Sequence, residues 1–184
     1  MKAGFFELDI TPFLGMERPG GYGKSYMDKI HDSLKARAFV CEGKEEKVAV
    51  CVLDLLVISE RFVKEVREEI KKKMDIKEEN ILISATHTHS GGPLFGLLPD
   101  EYEDAPDLIK TLIFKYSTIP DPLYYDFVKK RVRDAVFMAD MLKEEVICQS
   151  GYGFENKVSF NRRVRMKNGR VYTHPGKLHP DILE

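Results

Sequence analysis

The stretch from Lys47 to Ala85 restricts the fold more than any other part of this chain. Lys47 to Val57, KVAVCVLDLLV, is apolar at almost every position. A run so short, so apolar and so rich in valine suits a strand buried on both faces, as in a sheet covered by helices. Ser59 then stands as an N-cap with Glu60 in the first turn, and Val63, Val66, Ile70 and Met74 fall on one helical stripe while lysine and glutamate fill the rest. Asn80 to Ala85, NILISA, reads as a second strand. The order strand, helix, strand predicts a βαβ unit with parallel strands and a right-handed crossover.

Directly after the second strand comes Thr86-His87-Thr88-His89-Ser90-Gly91-Gly92-Pro93. Ligands of α/β sheets bind beyond the C-terminal ends of the strands, which is where this polar segment falls. If the strand geometry persists through Thr88, His87 and His89 project from the same face. Metal ligation, acid/base or oxyanion work, and buried structural histidines all fit such a pair. A catalytic zinc usually takes three protein ligands and an open position, so two histidines are not enough by themselves. His31, His174 and His179 stand singly in loop-like segments and are expected in solvent. Asp54 interrupts the apolar run near its end, where structural hydrogen bonding and a site role both remain open.

The rest of the chain fits around this unit. Lys2 to Ile10 alternates like a strand and stops at Thr11-Pro12, and Ser33 to Cys41 forms a hairpin with the apolar run through the charged connection Glu42 to Glu46. Gly20-Gly21-Tyr22-Gly23-Lys24-Ser25 imitates a phosphate-binding loop, but Arg18 stands where that motif needs glycine and no apolar strand leads into it. It reads as a surface loop or a wall of the site. Leu94 to Pro120 holds no single period and carries an acidic cluster (Asp100, Glu101, Glu103, Asp104), the pattern of a lid beside a site. Asp121-Pro122 opens a long helix with Val128, Val132, Ala135, Val136 and Ala139 on one face. Glu145 to Tyr152 reads as a strand, and Phe160 to Met166 with Arg170 to Thr173 as a hairpin about Asn168-Gly169. The expected fold is α/β, a mixed β-sheet with a βαβ crossover and flanking helices, in one domain over residues 1–184.

Charge and composition narrow the partners. With 29 basic and 30 acidic residues the net charge is −1, so no long-range field recommends nucleic acid or an anionic membrane. Three cysteines without CxxC spacing suit reduced thiols in a cytoplasmic protein. Glu7 and Asp9 break what would be the apolar core of a signal peptide, and no stretch reaches the ~18 apolar residues of a transmembrane segment. Nothing in the pattern excludes a homo-oligomer.

AGFFELDITPFLG near the N-terminus, the GGYG loop, IHDSLKARAFV, VLDLLVI and above all NILISATHTHSGGP resemble, in order, the N-terminal half of the catalytic domain of the neutral/alkaline ceramidase family. The chain departs from the family at Gly92, which stands between Gly91 and Pro93 where the family generally reads Ser-Gly-Pro. The resemblance implies a zinc-dependent hydrolase of an N-acyl, ceramide-like amide bond. By it, His87 is a zinc ligand, His89 faces the substrate, and Arg162 of the Asn161-Arg162 dipeptide polarises the amide carbonyl or holds the oxyanion. The family's other zinc ligands (a histidine, a glutamate, a tyrosine) and its active-site serine belong to motifs expected beyond Glu184. The expectation is therefore an incomplete catalytic domain that needs its missing C-terminal part, in cis or trans, and is inactive alone. From the residues by themselves, a non-catalytic metal- or anion-binding module and a structural subunit of a larger assembly are the competing readings.

Overall fold

The hairpin and the βαβ unit share one sheet. In this computed structural model, which describes residues 1–97, 102–159, 161–176 and 179–183, strands β1 (Lys2–Asp9), β2 (Lys35–Glu42), β3 (Lys47–Leu53), β4 (Ile81–Ala85) and β5 (Glu144–Glu145) lie in the order β4-β3-β2-β1-β5. β3 and β4 run parallel and are joined by helix α1 (Glu60–Lys71), while the other pairs are antiparallel, so the sheet is mixed. The chain divides into one unit of Met1–Ile147, which holds this sheet, and a second of Cys148–Glu184.

Both long helices begin where their capping residues stand. Ser59 accepts a hydrogen bond from the Phe62 N–H at 3.1 Å, and Asp121 accepts from Leu123 and Tyr124 at 2.9 Å each, ahead of a proline in the first turn of α3 (Pro122–Met141). Such caps are worth about 1 kcal/mol each. α1 buries Phe62, Val66 and Ile70, and α3 buries Val128, Val132, Ala135, Val136 and Ala139. These stripes form one core with Ala36, Ala38, Val40, Ala49, Cys51, Leu53, Ile81 and Ile83 of the sheet. Gly4 of β1 fixes how close α3 can come, since a Cβ there would sit 1.9 Å from the Ala139 carbonyl oxygen.

All of those strand residues lie on one face, so the expectation that β3 is buried on both faces is corrected. The register aligns Leu82, Val50, Phe39 and Phe5 across β4, β3, β2 and β1 on the opposite face. There Phe5 is 68% and Leu82 56% exposed. Continuous apolar sequence shows that both faces of a strand are apolar, and does not show that both are covered. β3 also stops at Leu53 instead of Val57. The Asp54 carboxylate accepts from the Lys35 N–H at 2.9 Å and from Arg37 at 2.8 Å, which turns the chain there and gives this residue a structural role.

The strand expected over Glu145 to Tyr152 is reduced to Glu144–Glu145. Antiparallel pairing sets Lys2 against Glu145, and the Val146 N–H reaches the Met1 carbonyl at 3.1 Å. Between 94 and 120 the described part forms a short helix α2 (Asp107–Thr111) and a π-helical turn, Leu112–Tyr116. Pro99, Asp100 and Glu101 of the expected acidic lid lie outside the described residues, as does Phe160 at the start of the expected hairpin. In the second unit that hairpin forms from β6 (Arg163–Arg165) and β7 (Val171–Thr173), turning at Gly169 with φ of 79°.

Candidate functional site

β4 ends at Ala85, but its backbone stays tied to the extension of β3. Thr86 N–H donates to the Leu53 carbonyl at 2.9 Å and Thr88 N–H to that of Leu55 at 3.2 Å. His87, between them, has φ of 64°. A non-glycine residue in this left-handed region costs on the order of 1–3 kcal/mol and is found where surrounding contacts over-determine it. Simple strand alternation therefore does not continue through the motif. The two imidazoles nonetheless meet, with ring centroids 5.1 Å apart and planes at 90°.

Each ring is held by a backbone carbonyl. His87 Nδ1 lies 2.8 Å from the Leu56 oxygen, and His89 Nδ1 lies 2.7 Å from the Gly20 oxygen. A carbonyl only accepts, so in both neutral rings the proton sits on Nδ1 and Nε2 is left with a free lone pair. An imidazole fixed in this way is prepared to bind a metal or to take a proton. Both side chains are exposed. Among the described residues no group of three or more His, Cys, Asp or Glu side chains stands together as a metal site, so the donors fit a zinc ion in kind and fall short in number.

Glycines make this arrangement sterically possible. Gly20 has φ of 104°, and a Cβ on it would lie 2.8 Å from His89 Nδ1. Gly91 runs against the Leu55 backbone, where a Cβ would come within 3.0 Å of the Leu55 Cα. Gly92 abuts Tyr124, whose ring a Cβ would approach to 2.3 Å. That tyrosine is buried and donates to the Ile10 carbonyl at 2.6 Å, and burial, with the nearby Asp9 charge, raises its phenol well above the usual value. Asp9 itself is lowered despite partial burial, because Thr11 and Lys35 hydrogen-bond to its carboxylate.

Thr88 and Ser90 of the motif line a cleft of about 370 Å³ whose other walls include Thr11, Arg18, Ile30 and His31. Of the loop mimicking a phosphate-binding sequence, the Gly20 carbonyl reaches His89, while Arg18, just ahead of that loop, lines the cleft. His31 is exposed and sits 2.8 Å from Asp32, as expected of a single loop histidine, while also facing the cleft. His179 accepts from the Asp181 N–H at 3.2 Å. Arg162 belongs to the second unit, where it is exposed and its carbonyl accepts from the His174 N–H at 2.9 Å, just ahead of β6. The Leu56 and Gly20 carbonyls left no sequence signal, because backbone acceptors exist at every residue. Only the glycine at 20 hinted at a close approach.

A parallel strand pair joined by a helix, with a mixed sheet around it, defines an α/β protein, and the paired imidazoles at the strand ends are its candidate site. The sequence model of the neutral/alkaline non-lysosomal ceramidase N-terminal region matches residues 3–98, and the chain belongs to that family. Among solved structures it resembles neutral ceramidase from Pseudomonas aeruginosa, with a TM-score of 0.57 at 20% identity over 78% of this chain and 22% of that one. A ceramidase complexed with C2 aligns with a TM-score of 0.55 at 20% identity over 78% of this chain and 21% of that one. At such identity the likeness shows the fold. The chain spans about a fifth of the length of these structures.

Proposed function

We propose that this chain supplies the N-terminal share of a zinc-dependent hydrolase site that cleaves the N-acyl amide bond of a ceramide-like substrate. One observation carries the reading: two imidazoles at the end of a parallel strand, each with Nδ1 on a backbone carbonyl and Nε2 free. Membership of the ceramidase family supports the substrate class. His87 would present Nε2 to the metal, its ring kept from rotating by Leu56. His89, held by Gly20 beside the cleft, would face the substrate and exchange a proton at Nε2. Arg162 would offer guanidinium donors to the amide oxygen, where negative charge gathers in the transition state. Zinc, when bound, supplies Lewis acidity and makes water a nucleophile near neutral pH. The remaining ligands would come from the part of the catalytic domain that this chain does not contain.

A non-catalytic metal- or anion-binding module is the second reading, supported by the exposed His87 and His89 rings and by Arg18 in the neighbouring cleft. Assembly with the remainder of the catalytic domain, followed by assay on ceramide and on short N-acyl amides with zinc analysis, separates the two. His87→Ala is expected to abolish stoichiometric zinc and to lower turnover by at least about 100-fold, at or beyond the loss typical of residues that merely support a ligand. Unchanged turnover in that variant, or inactivity of the assembled wild type on every amide, would sink the amidase reading.

A further inference from the structure

The cleft beside the histidine motif carries a cation without a partner. Arg18 lines it, two residues ahead of the Gly20 carbonyl that holds His89, and Thr88 and Ser90 on either side of that histidine line it too. The Arg18 backbone is tied down, since its N–H donates to the Ser25 carbonyl at 2.8 Å and its carbonyl accepts from the Ser25 hydroxyl at 3.0 Å. Its guanidinium makes no hydrogen bond or ion pair among the described residues, and the adjacent Glu17 is taken by Lys24 at 3.4 Å. The rigid donor fork of an arginine matches a carboxylate, so this wall offers an anion a place within reach of the imidazoles.

The rest of the lining says which anion. Pro12 is buried and Met27 and Leu34 are half-buried, so part of the cleft is apolar. Acids are present as well: Asp28 and Asp32 line the cleft together with Lys29, and Asp32 lies 2.8 Å from His31. Two carboxylates against the two cations Arg18 and Lys29 leave no net positive field, which disfavours a phosphate dianion or a polyanion. A single carboxylate can still pair with Arg18 if the group that bears it covers the apolar part. The volume of about 370 Å³ is at the low end for ligand sites and suits a compact group. A long alkyl chain would desolvate the charged side chains without pairing any of them.

We propose that this cleft takes the amine half of the substrate and that Arg18 holds a carboxylate on it, which makes N-acyl amino acids the substrate class. The inference rests on the N-acyl hydrolase reading and narrows it. Hydrolysis breaks the amide C–N bond, with water giving its oxygen to the acyl carbon and its two protons to the released nitrogen. The products are an acyl carboxylate and a free amino acid. With the carboxylate on Arg18 and the side chain against Pro12 and Leu34, the scissile amide lies toward His89, between Thr88 and Ser90.

Binding to the whole chain tests the site without turnover. N-acetylleucine and N-acetyl-isoamylamine, its counterpart lacking the carboxylate, are titrated into isotopically labelled protein and followed by the backbone amide shifts of Thr88 and Ser90. The acid is expected to move them saturably and the neutral amide to bind at least about tenfold more weakly, the fold-change for losing a hydrogen-bonded charge. Arg18→Gln should weaken the acid by the same factor, whereas Lys29→Gln should change its affinity by less than about twofold. Circular dichroism checks that each variant stays folded. The proposal is overturned if acid and neutral amide bind alike, if folded Arg18→Gln binds the acid as wild type does, or if inorganic phosphate displaces the acid as readily as unlabelled acid does. In the assembled enzyme the acid should show the lower KM, and Arg18→Gln should remove that advantage with kcat nearly kept. Cleavage of ceramide without binding of the acid would sink this inference and keep the amidase reading. Binding of the acid by a protein inactive on every amide would sink the amidase reading and keep the carboxylate site.

Discussion

His87 adopts a backbone conformation that few side chains accept, and its ring is turned onto the Leu56 carbonyl from there. Gly20 does the complementary work for His89, and its effect can be measured. Gly20→Ala adds a Cβ at a φ of 104° and 2.8 Å from the ring nitrogen that the same residue's carbonyl holds. The variant should stay folded while His89 loses its fixed tautomer, and in the assembled enzyme kcat should fall about 10- to 100-fold with a displaced pH profile. Nitrogen NMR of His89 reads the tautomer directly, and an unchanged spectrum would show that Gly20 does not position it. The histidine pair was legible in the sequence from its place after a strand. The geometry joining its members was not, because it depends on two residues at positive φ, His87 and Gly20, and on two main-chain oxygens.

At the scale of elements, composition and caps placed most boundaries. β1, β2, α1 and α3 lie where alternation, the Ser59 and Asp121 caps and the helical stripes put them. The ends of β3 and β5 were illegible for two reasons. Asp54 turns the chain by bonding to β2, a tertiary partner, and β5 is a two-residue pairing with the start of β1 that its own sequence does not mark. Tyr124 joins elements across the molecule, since its hydroxyl satisfies the carbonyl of Ile10, itself fully buried, at the end of β1. Tyr124→Phe leaves that acceptor without a donor and should destabilise the fold by about 1–3 kcal/mol, measured by urea unfolding. A loss below 0.5 kcal/mol would show that water replaces the hydroxyl.

Seen whole, the sheet of the first unit has one clothed face and one bare face. α1 and α3 cover Ala38, Val40, Cys51 and Ile83, while Phe5, Val48 and Leu82 stay exposed opposite them. Sequence alone could not distinguish these faces, since valine and phenylalanine occupy both. A lysine on the bare face should therefore be tolerated. Leu82→Lys is expected to change unfolding stability by no more than about 0.5 kcal/mol and to reduce light scattering of concentrated solutions, whereas Ile83→Lys, one residue away, should cost several kcal/mol. A large loss from Leu82→Lys would mean that this face is covered within the chain itself.

The register between β1 and β5 has a practical side. Because the Val146 N–H already donates to the Met1 carbonyl, extended chain placed ahead of Met1 would lie opposite Ile147 as a further partner strand. A purification tag at that end is therefore not a neutral addition: the residues next to Met1 would be recruited into the sheet, lengthening β5 by template. A tag at the opposite terminus would leave that edge as it stands in this structure.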